Sequence, residues 1–284
     1  MIYTDKESPK VSTSVKFKKA KIEKKYVDPA REHMKLFVSN LYKFASWLND
    51  PRLTTKDELA ILSRMRLLSD ISNCPQLSTI NQHVGIKWKD ITKKQQTLID
   101  IIDKHVRNKE QIIVFTERRE TSHQLSHIIS NETETLAIPI VVAGDDIDVR
   151  NRKLDRFREG SADVLMGTYR SIGRGYNLPQ ASVVILYELF WTPDIMTQAI
   201  GRVLREQQRK DPTVYLIINR GMIDEYQVDE IVMARQYNLA IMIEGKQPEH
   251  DLRIRSYKEV ARDMVNYLQS QQEESDNENQ ENNG

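Results

Sequence analysis

Gln198, Arg202 and Arg205 are spaced so that three side chains could act together. At about 100° per residue in a helix they fall within an arc of roughly 60°. Met196, Ala199, Ile200 and Val203 take the opposite side and form the packed face of that helix. A guanidinium is a planar, permanent cation whose fork matches phosphate oxygens. The trio reads either as an anion site on a packed helix or as a solvated face with two ordinary surface arginines. Spacing alone leaves both open.

The elements that must position these residues lie just upstream. Val183, Val184, Ile185 and Leu186 form an unbroken apolar run, the pattern of a strand buried on both faces. Gly173 and Gly175 precede it and allow backbone turns that other residues resist. Trp191-Thr192-Pro193 ends the strand and starts the helix, with Pro193 in the first turn, where its missing N–H costs nothing. Two further groups follow strand ends, where ligands gather in open α/β sheets. Thr116, Arg118 and Arg119 come after the strand 111–116, and Thr168, Arg170 and Asn177 after the strand 163–168. For Arg118 and Arg119 the bland alternative is an exposed helix start.

The rest of the chain supplies the scaffold. Apolar residues recur at helical spacing from Asp28 to Leu48 and from Thr55 to Ile71. Residues 81–93 read as a connector, and another helix carries Leu98, Ile101, Ile102, His105 and Val106 on one stripe. His105 reads as a helix-edge residue, since no partner ligand stands at metal spacing. Strands are expected at 111–116, 138–143, 163–168, 183–186 and 213–219, with helices between them. About five short apolar strands separated by helices predict a parallel sheet covered on both faces, an α/β fold. Residues 222–239 and 257–268 read as C-terminal helices.

Composition narrows the class. The 284 residues hold 42 Lys and Arg against 41 Asp and Glu, so a polyanion site must come from local clustering. Cys74 is the only cysteine, which excludes a disulfide framework and a cysteine zinc site. No apolar run approaches membrane-spanning length and the start lacks a signal-peptide core, so the expectation is a soluble, intracellular protein. Lys16, Lys18, Lys19, Lys21, Lys24 and Lys25 make the start basic, either a solvated lead-in or a strand pair or linker touching nucleic-acid phosphates. Residues 270–284 are Glu, Gln and Asn with no large apolar side chain and read as disordered, a solubilising tail or an acidic partner-binding one.

Three stretches resemble one family. TYRSIGRGYNL followed by VVILYELFWTPDIMTQAIGRVLREQQ is similar to motifs V and VI of superfamily-two helicases, in the version of the Swi/Snf-type ATP-dependent DNA translocases. LSRMRLLSDISNCPQL resembles that family's insertion helix, which generic helicases lack, and IIVFTERRETSHQL resembles motif IV. The resemblance spans residues 28–239 and implies a RecA-like helicase lobe two. Its boundaries would be a basic lead-in at 1–27, a helical Swi/Snf-type region at 28–93, the RecA-like lobe at 94–225, C-terminal helices at 226–269 and the tail at 270–284. One departure is Gln207, where the family has glycine, which bears on the turn after the helix.

The resemblance assigns roles. Arg202 and Arg205 would reach the γ-phosphate of ATP as arginine fingers. Gln198, Gly173, Arg174 and Gly175 would complete the nucleotide contacts. Thr116, Arg118, Arg119, Thr168, Arg170 and Asn177 would track one DNA strand through its phosphates, positioning without reading sequence. Trp191 reads as a packing residue rather than a base-stacking platform. The phosphate loop and the acidic pair that hold ATP and Mg2+ in such motors belong to a first lobe, and neither motif occurs here. The expectation is a half-motor, inactive alone, that needs a first-lobe chain in trans. The rival is a hydrolysis-incompetent nucleic-acid- or protein-binding module that keeps the fold.

Overall fold

The computed structural model describes residues 21–52, 57–133, 138–142, 144–172, 176, 178–189, 191, 212–229 and 257–281, with side chains to 273. Six strands form one all-parallel sheet in the order β1-β6-β5-β2-β4-β3. They are β1 (Lys21–Val27), β2 (Gln111–Thr116), β3 (Ile140–Val141), β4 (Val164–Thr168), β5 (Ala181–Leu186) and β6 (Thr213–Asn219). The helices among the described residues are α1 (Arg31–Leu48), α2 (Glu58–Asn73), α3 (Ser78–Val84), α4 (Lys93–Arg107), α5 (Arg119–Glu132), α6 (Ile147–Arg158), α7 (Tyr169–Ile172), α8 (Ile223–Tyr226) and α9 (Tyr257–Glu281).

The unbroken apolar strands have a two-sided explanation. In β2, Ile113 and Phe115 enter a core with Leu154 and Phe157 of α6, while Ile112 and Val114 enter another with Leu98 and Ile102 of α4 and Leu125 of α5. A strand buried on both faces has no polar side to alternate with. A third core is purely helical: Phe37, Leu41, Ile61, Leu68, Ile223 and Met264 join α1, α2, α8 and α9. At α4 a full capping box sets the start, with Thr92 and Gln95 satisfying each other's backbone N–H groups.

One buried ion pair joins the helical layer to the sheet. Lys94 is fully buried, and its Nζ donates to Asn73 Oδ1 and Asp224 Oδ2, each at 2.6 Å. It lies over the Tyr187 ring at 4.8 Å, and the Tyr187 hydroxyl donates to the Asn73 carbonyl at 2.6 Å. Asp224 also accepts from the Asn219 N–H at 3.0 Å and the Ser72 hydroxyl at 3.1 Å. Burial pulls the Lys94 ammonium down and Asp224 holds it up. The end of α2, the start of α4, the exit of β5 and α8 thus share one network.

The structure corrects several expectations. The basic start is not all lead-in, since β1 pairs with β6 from Lys21 to Val27 and makes the sheet six-stranded. Lysines suit an edge strand because they discourage further pairing; Glu23 sits between Lys21 at 2.7 Å and Lys25 at 3.0 Å. Residues 270–281 continue α9 instead of being disordered. Gln and Glu are good helix formers that extend a helix already nucleated. α3 runs into the connector as far as Val84, and the 138–143 strand shortens to Ile140–Val141. His105 is no edge residue: it is buried, with Nδ1 2.7 Å from Glu110 and Nε2 3.0 Å from the Tyr215 hydroxyl. Cys74, the C-cap of α2, is fully buried, and burial pushes its thiol pKa up. Trp191 packs on the helical core with its ring 6.4 Å from that of Tyr226. The lysines before Lys21, the motif VI helix, residues 230–239 and residues 282–284 lie outside the described residues.

Candidate functional site

The carboxyl ends of β2, β4 and β5 meet at one edge of the sheet. Thr116 and Thr168 are register partners, the last pair of the β2–β4 ladder. β4 also approaches β3 closely: a Cβ at Gly167 would collide with the Val141 carbonyl oxygen and with Ile172.

Each threonine closes its own loop. The Thr116 side chain is buried; its hydroxyl donates to the Arg118 carbonyl at 3.0 Å and shares a hydrogen bond with Ser122 at 2.6 Å. Thr168 bonds Ser171 twice, through its N–H at 3.1 Å and its hydroxyl at 2.8 Å. Ser171 in turn donates to the Val141 carbonyl at 2.6 Å, tying α7 to β3.

A carboxylate that the sequence reading did not single out organises the β2 loop. Glu188, two residues past β5, is 1% exposed. Its Oε2 accepts the N–H groups of Glu117 at 2.8 Å and Arg118 at 3.1 Å, and its Oε1 accepts the Thr121 hydroxyl at 2.9 Å. α5 has no side-chain cap of its own, so Glu188 satisfies donors around its first turn from a neighbouring strand. Burial pushes Glu188 up to about 7, and the neighbouring Glu117 adds to the rise. Burial raises Glu117 to about 7 as well, against the pull of Arg66 and Arg118. The Tyr169 hydroxyl donates to the Glu188 carbonyl at 2.6 Å, and its ring stacks on Phe115 with centroids 5.1 Å apart.

The arginines divide. Arg118 turns inward: its guanidinium bonds Asp70 on α2 and lies 3.5 Å from Glu120, with 12% of the side chain exposed. Asp70 is buried, its Oδ1 has no hydrogen-bond partner, and burial pushes its carboxyl up against Arg118. Arg119 and Arg170 are exposed at the first turns of α5 and α7. The structure therefore brings Thr116, Arg118, Arg119, Thr168 and Arg170 to one edge, but it commits Thr116, Arg118 and Thr168 to holding loops. Asn177, Gly173, Arg174, Gly175, Gln198, Arg202 and Arg205 lie outside the described residues. Glu188 had one signal in the sequence, a lone acid directly after a buried apolar run; Asp70 had none, since its partner is 48 residues away.

Among the described residues no group of three or more His, Cys, Asp or Glu side chains could hold a metal ion, and no helix is long and apolar enough to cross a membrane. At the sheet edge Glu188 is engaged by two backbone amides and Thr121, and Asp70 by Arg118, which does not suit either carboxylate to a magnesium site.

Residues 93–207 match the helicase conserved C-terminal domain. The ATP-dependent helicase fft3 of Schizosaccharomyces pombe is 27% identical over 185 residues, which is 63% of this chain and 20% of that protein. The chain superposes on the Sulfolobus solfataricus SWI2/SNF2 ATPase C-terminal domain with a TM-score of 0.61 and 19% identity, covering 78% of this chain and 90% of that one. The SWI2/SNF2 ATPase core of the same organism in complex with dsDNA gives 0.63 and 21%, covering 80% and 46%. The six-stranded parallel sheet with flanking helices is the RecA-like lobe of those neighbours. Residues 93–207 therefore match a helicase conserved C-terminal domain, in a chain whose fold is similar to that of the SWI2/SNF2 ATPase C-terminal domain.

Proposed function

We propose that this chain acts as the second motor lobe of an ATP-dependent DNA translocase or helicase. A first lobe with a phosphate loop and an acidic pair would complete it. The observation that carries this reading is the run from Gln198 to Arg205, which keeps the amide and both guanidiniums of motif VI inside the matched domain.

The division of labour follows from the chemistry of the donors. Arg202 and Arg205, with Gln198 and the Gly173-Arg174-Gly175 turn, suit the oxygens of a polyphosphate. Bound Mg·ATP would supply the transferable phosphoryl group, and the metal would sit on the first lobe. Charge that develops on that group is what a finger stabilises, so its removal slows turnover more than it weakens nucleotide binding.

DNA would run along the carboxyl edge of the sheet. Arg119, Arg170 and Asn177 would contact phosphates. Thr116, Arg118 and Thr168 would hold the loops that present them. Such contacts release counterions and weaken as salt rises.

The test mixes this chain with a separately produced first lobe of the same family and measures DNA-stimulated ATP hydrolysis. Arg202→Ala or Arg205→Ala should lower the rate about 10³-fold, equivalent to roughly 4 kcal/mol of barrier. ATP affinity should change far less. Wild-type rates from both variants would remove the finger assignment. Association without hydrolysis in every mixture would favour the binding module.

A further inference from the structure

Away from the sheet edge, the helical layer carries a groove of 420 Å³ between α1 and the loop after α3. On the α1 side, Lys35, Leu36, Ser39 and Lys43 line it, with Glu32 at one end. Positions 32, 35, 36, 39 and 43 share one helical stripe, which runs about 16 Å. Val84, Ile86 and Trp88 form the other wall.

The groove is built and held open from below. Gly85 ends α3 in the left-handed region at φ 74°, which turns the chain back over α1. The Trp88 indole N–H donates to the Asp90 carbonyl at 2.7 Å, and Gln76 donates to the same oxygen at 2.6 Å. His33 backs the Trp88 ring with centroids 5.4 Å apart and is fixed by the Ile71 carbonyl at 2.7 Å. Little ordering would be left for a binding event to impose.

The wall formed by Val84, Ile86 and Trp88 is apolar, and the α1 side carries two lysines. Ile86 stays 46% exposed. Lys35 and Lys43 of the lining are exposed, and neither pairs with a carboxylate among the described residues; Lys87 and Lys89, exposed as well, flank Trp88 in sequence. Glu32 is the acidic side chain of the lining. A duplex backbone needs a polar, wet, cationic surface and would leave Leu36, Val84, Ile86 and Trp88 unused. A helix with an apolar stripe and acidic flanks satisfies both parts, in the helix-in-groove mode.

We infer that this groove is a docking site for an acidic amphipathic helix of a protein partner. Its lining shares no residue with the sheet edge to which the nucleic-acid contacts are assigned.

The test uses the full chain and a fluorescent 18-residue peptide with leucines at i, i+3, i+4 and i+7 and glutamates on the flanks. Saturable binding is expected in fluorescence anisotropy. Peptides with lysine flanks, or with serine replacing leucine, should bind at least about ten-fold more weakly. Lys35→Glu with Lys43→Glu, and separately Ile86→Ser, should each weaken the acidic peptide about ten-fold. These positions are exposed, and unchanged thermal unfolding would confirm intact folds. On the wild-type chain the peptide should slow amide hydrogen exchange at residues 84–89. Absence of saturable binding, equal binding of the lysine-flanked peptide, or unchanged affinity in both variants would overturn the inference. So would displacement of the peptide by a DNA duplex, which would make the surface a polyanion site.

Discussion

The loops after β2 and β4 start from the same design and end differently. Both begin at a threonine that finishes a buried strand, and the two threonines are register partners. Both close through a serine hydroxyl, Ser122 in one and Ser171 in the other. An arginine follows each by two residues. In the β2 loop that arginine is drawn inward by Asp70, and the loop amides are held by Glu188. In the β4 loop Arg170 is exposed. One loop is fixed by buried charge, while the other is fixed by hydroxyls and leaves its cation at the surface. A shared backbone plan therefore does not fix which arginine is presented; the acid on the neighbouring element does.

The largest expected effect breaks the charged loop. Arg118→Ala strands the buried Asp70 carboxylate, and losing one partner of a buried pair costs about 3 kcal/mol. Arg170→Ala, at an exposed site, should cost less than about 1 kcal/mol. Chemical denaturation of both variants measures the contrast. Asp70→Asn added to Arg118→Ala should recover part of the loss, because no charge is then left buried. Equal costs for Arg118 and Arg170 would abolish the distinction.

Next comes the pH dependence of the charged loop. Glu117 and Glu188 titrate at about 7 in the folded chain, against 4.5 for an ordinary glutamate. Between those values the folded state holds protons that the unfolded state has released, so stability falls as pH rises from about 4.5 to about 7. His33, whose burial lowers its pKa, works in the opposite sense as pH falls through its ordinary 6.5. Glu188→Gln removes one term and keeps the geometry: the amide oxygen accepts the two backbone N–H groups, and its NH2 donates to the Thr121 hydroxyl. Thermal unfolding between pH 5 and 8 should show a shallower fall in this variant. An unchanged slope would mean that Glu188 does not titrate there.

The smallest effect separates holding from contacting. Thr116→Val and Thr168→Val should each cost about 1 kcal/mol by losing hydroxyl hydrogen bonds. Neither should change the salt dependence of DNA binding, whereas Arg119→Ala with Arg170→Ala should flatten it. A flattened slope from either threonine variant would place its hydroxyl on the DNA.

How much the sequence disclosed depended on whether one segment carried the information. The strands at 111–116 and 213–219 were legible to the residue because burial on both faces leaves an apolar run with sharp ends. β1 was legible only as one of two readings of the basic start, because an edge strand needs few apolar residues and prefers lysine. The last helical turns of α9 were hidden because helix continuation needs no large side chain. At the site, the threonines and arginines were visible as types at strand ends. The inward turn of Arg118, the capping role of Glu188 and the burial of Lys94 depend on partners far along the chain, which no local spacing encodes.

The pairing of β1 with β6 also bears on how the chain reaches its fold. Arg220 bonds Asp28 at 3.1 Å across 192 residues, beside the ladder from Lys21 to Thr213. During synthesis β1 emerges well before β6, the strand it pairs with among the described residues. Long-range parallel pairing of this kind is slow, since the loop must close before any contact repays it. The lysines of β1 then have a second use: they keep a waiting strand soluble through the interval in which its neighbour β6 has not yet been made.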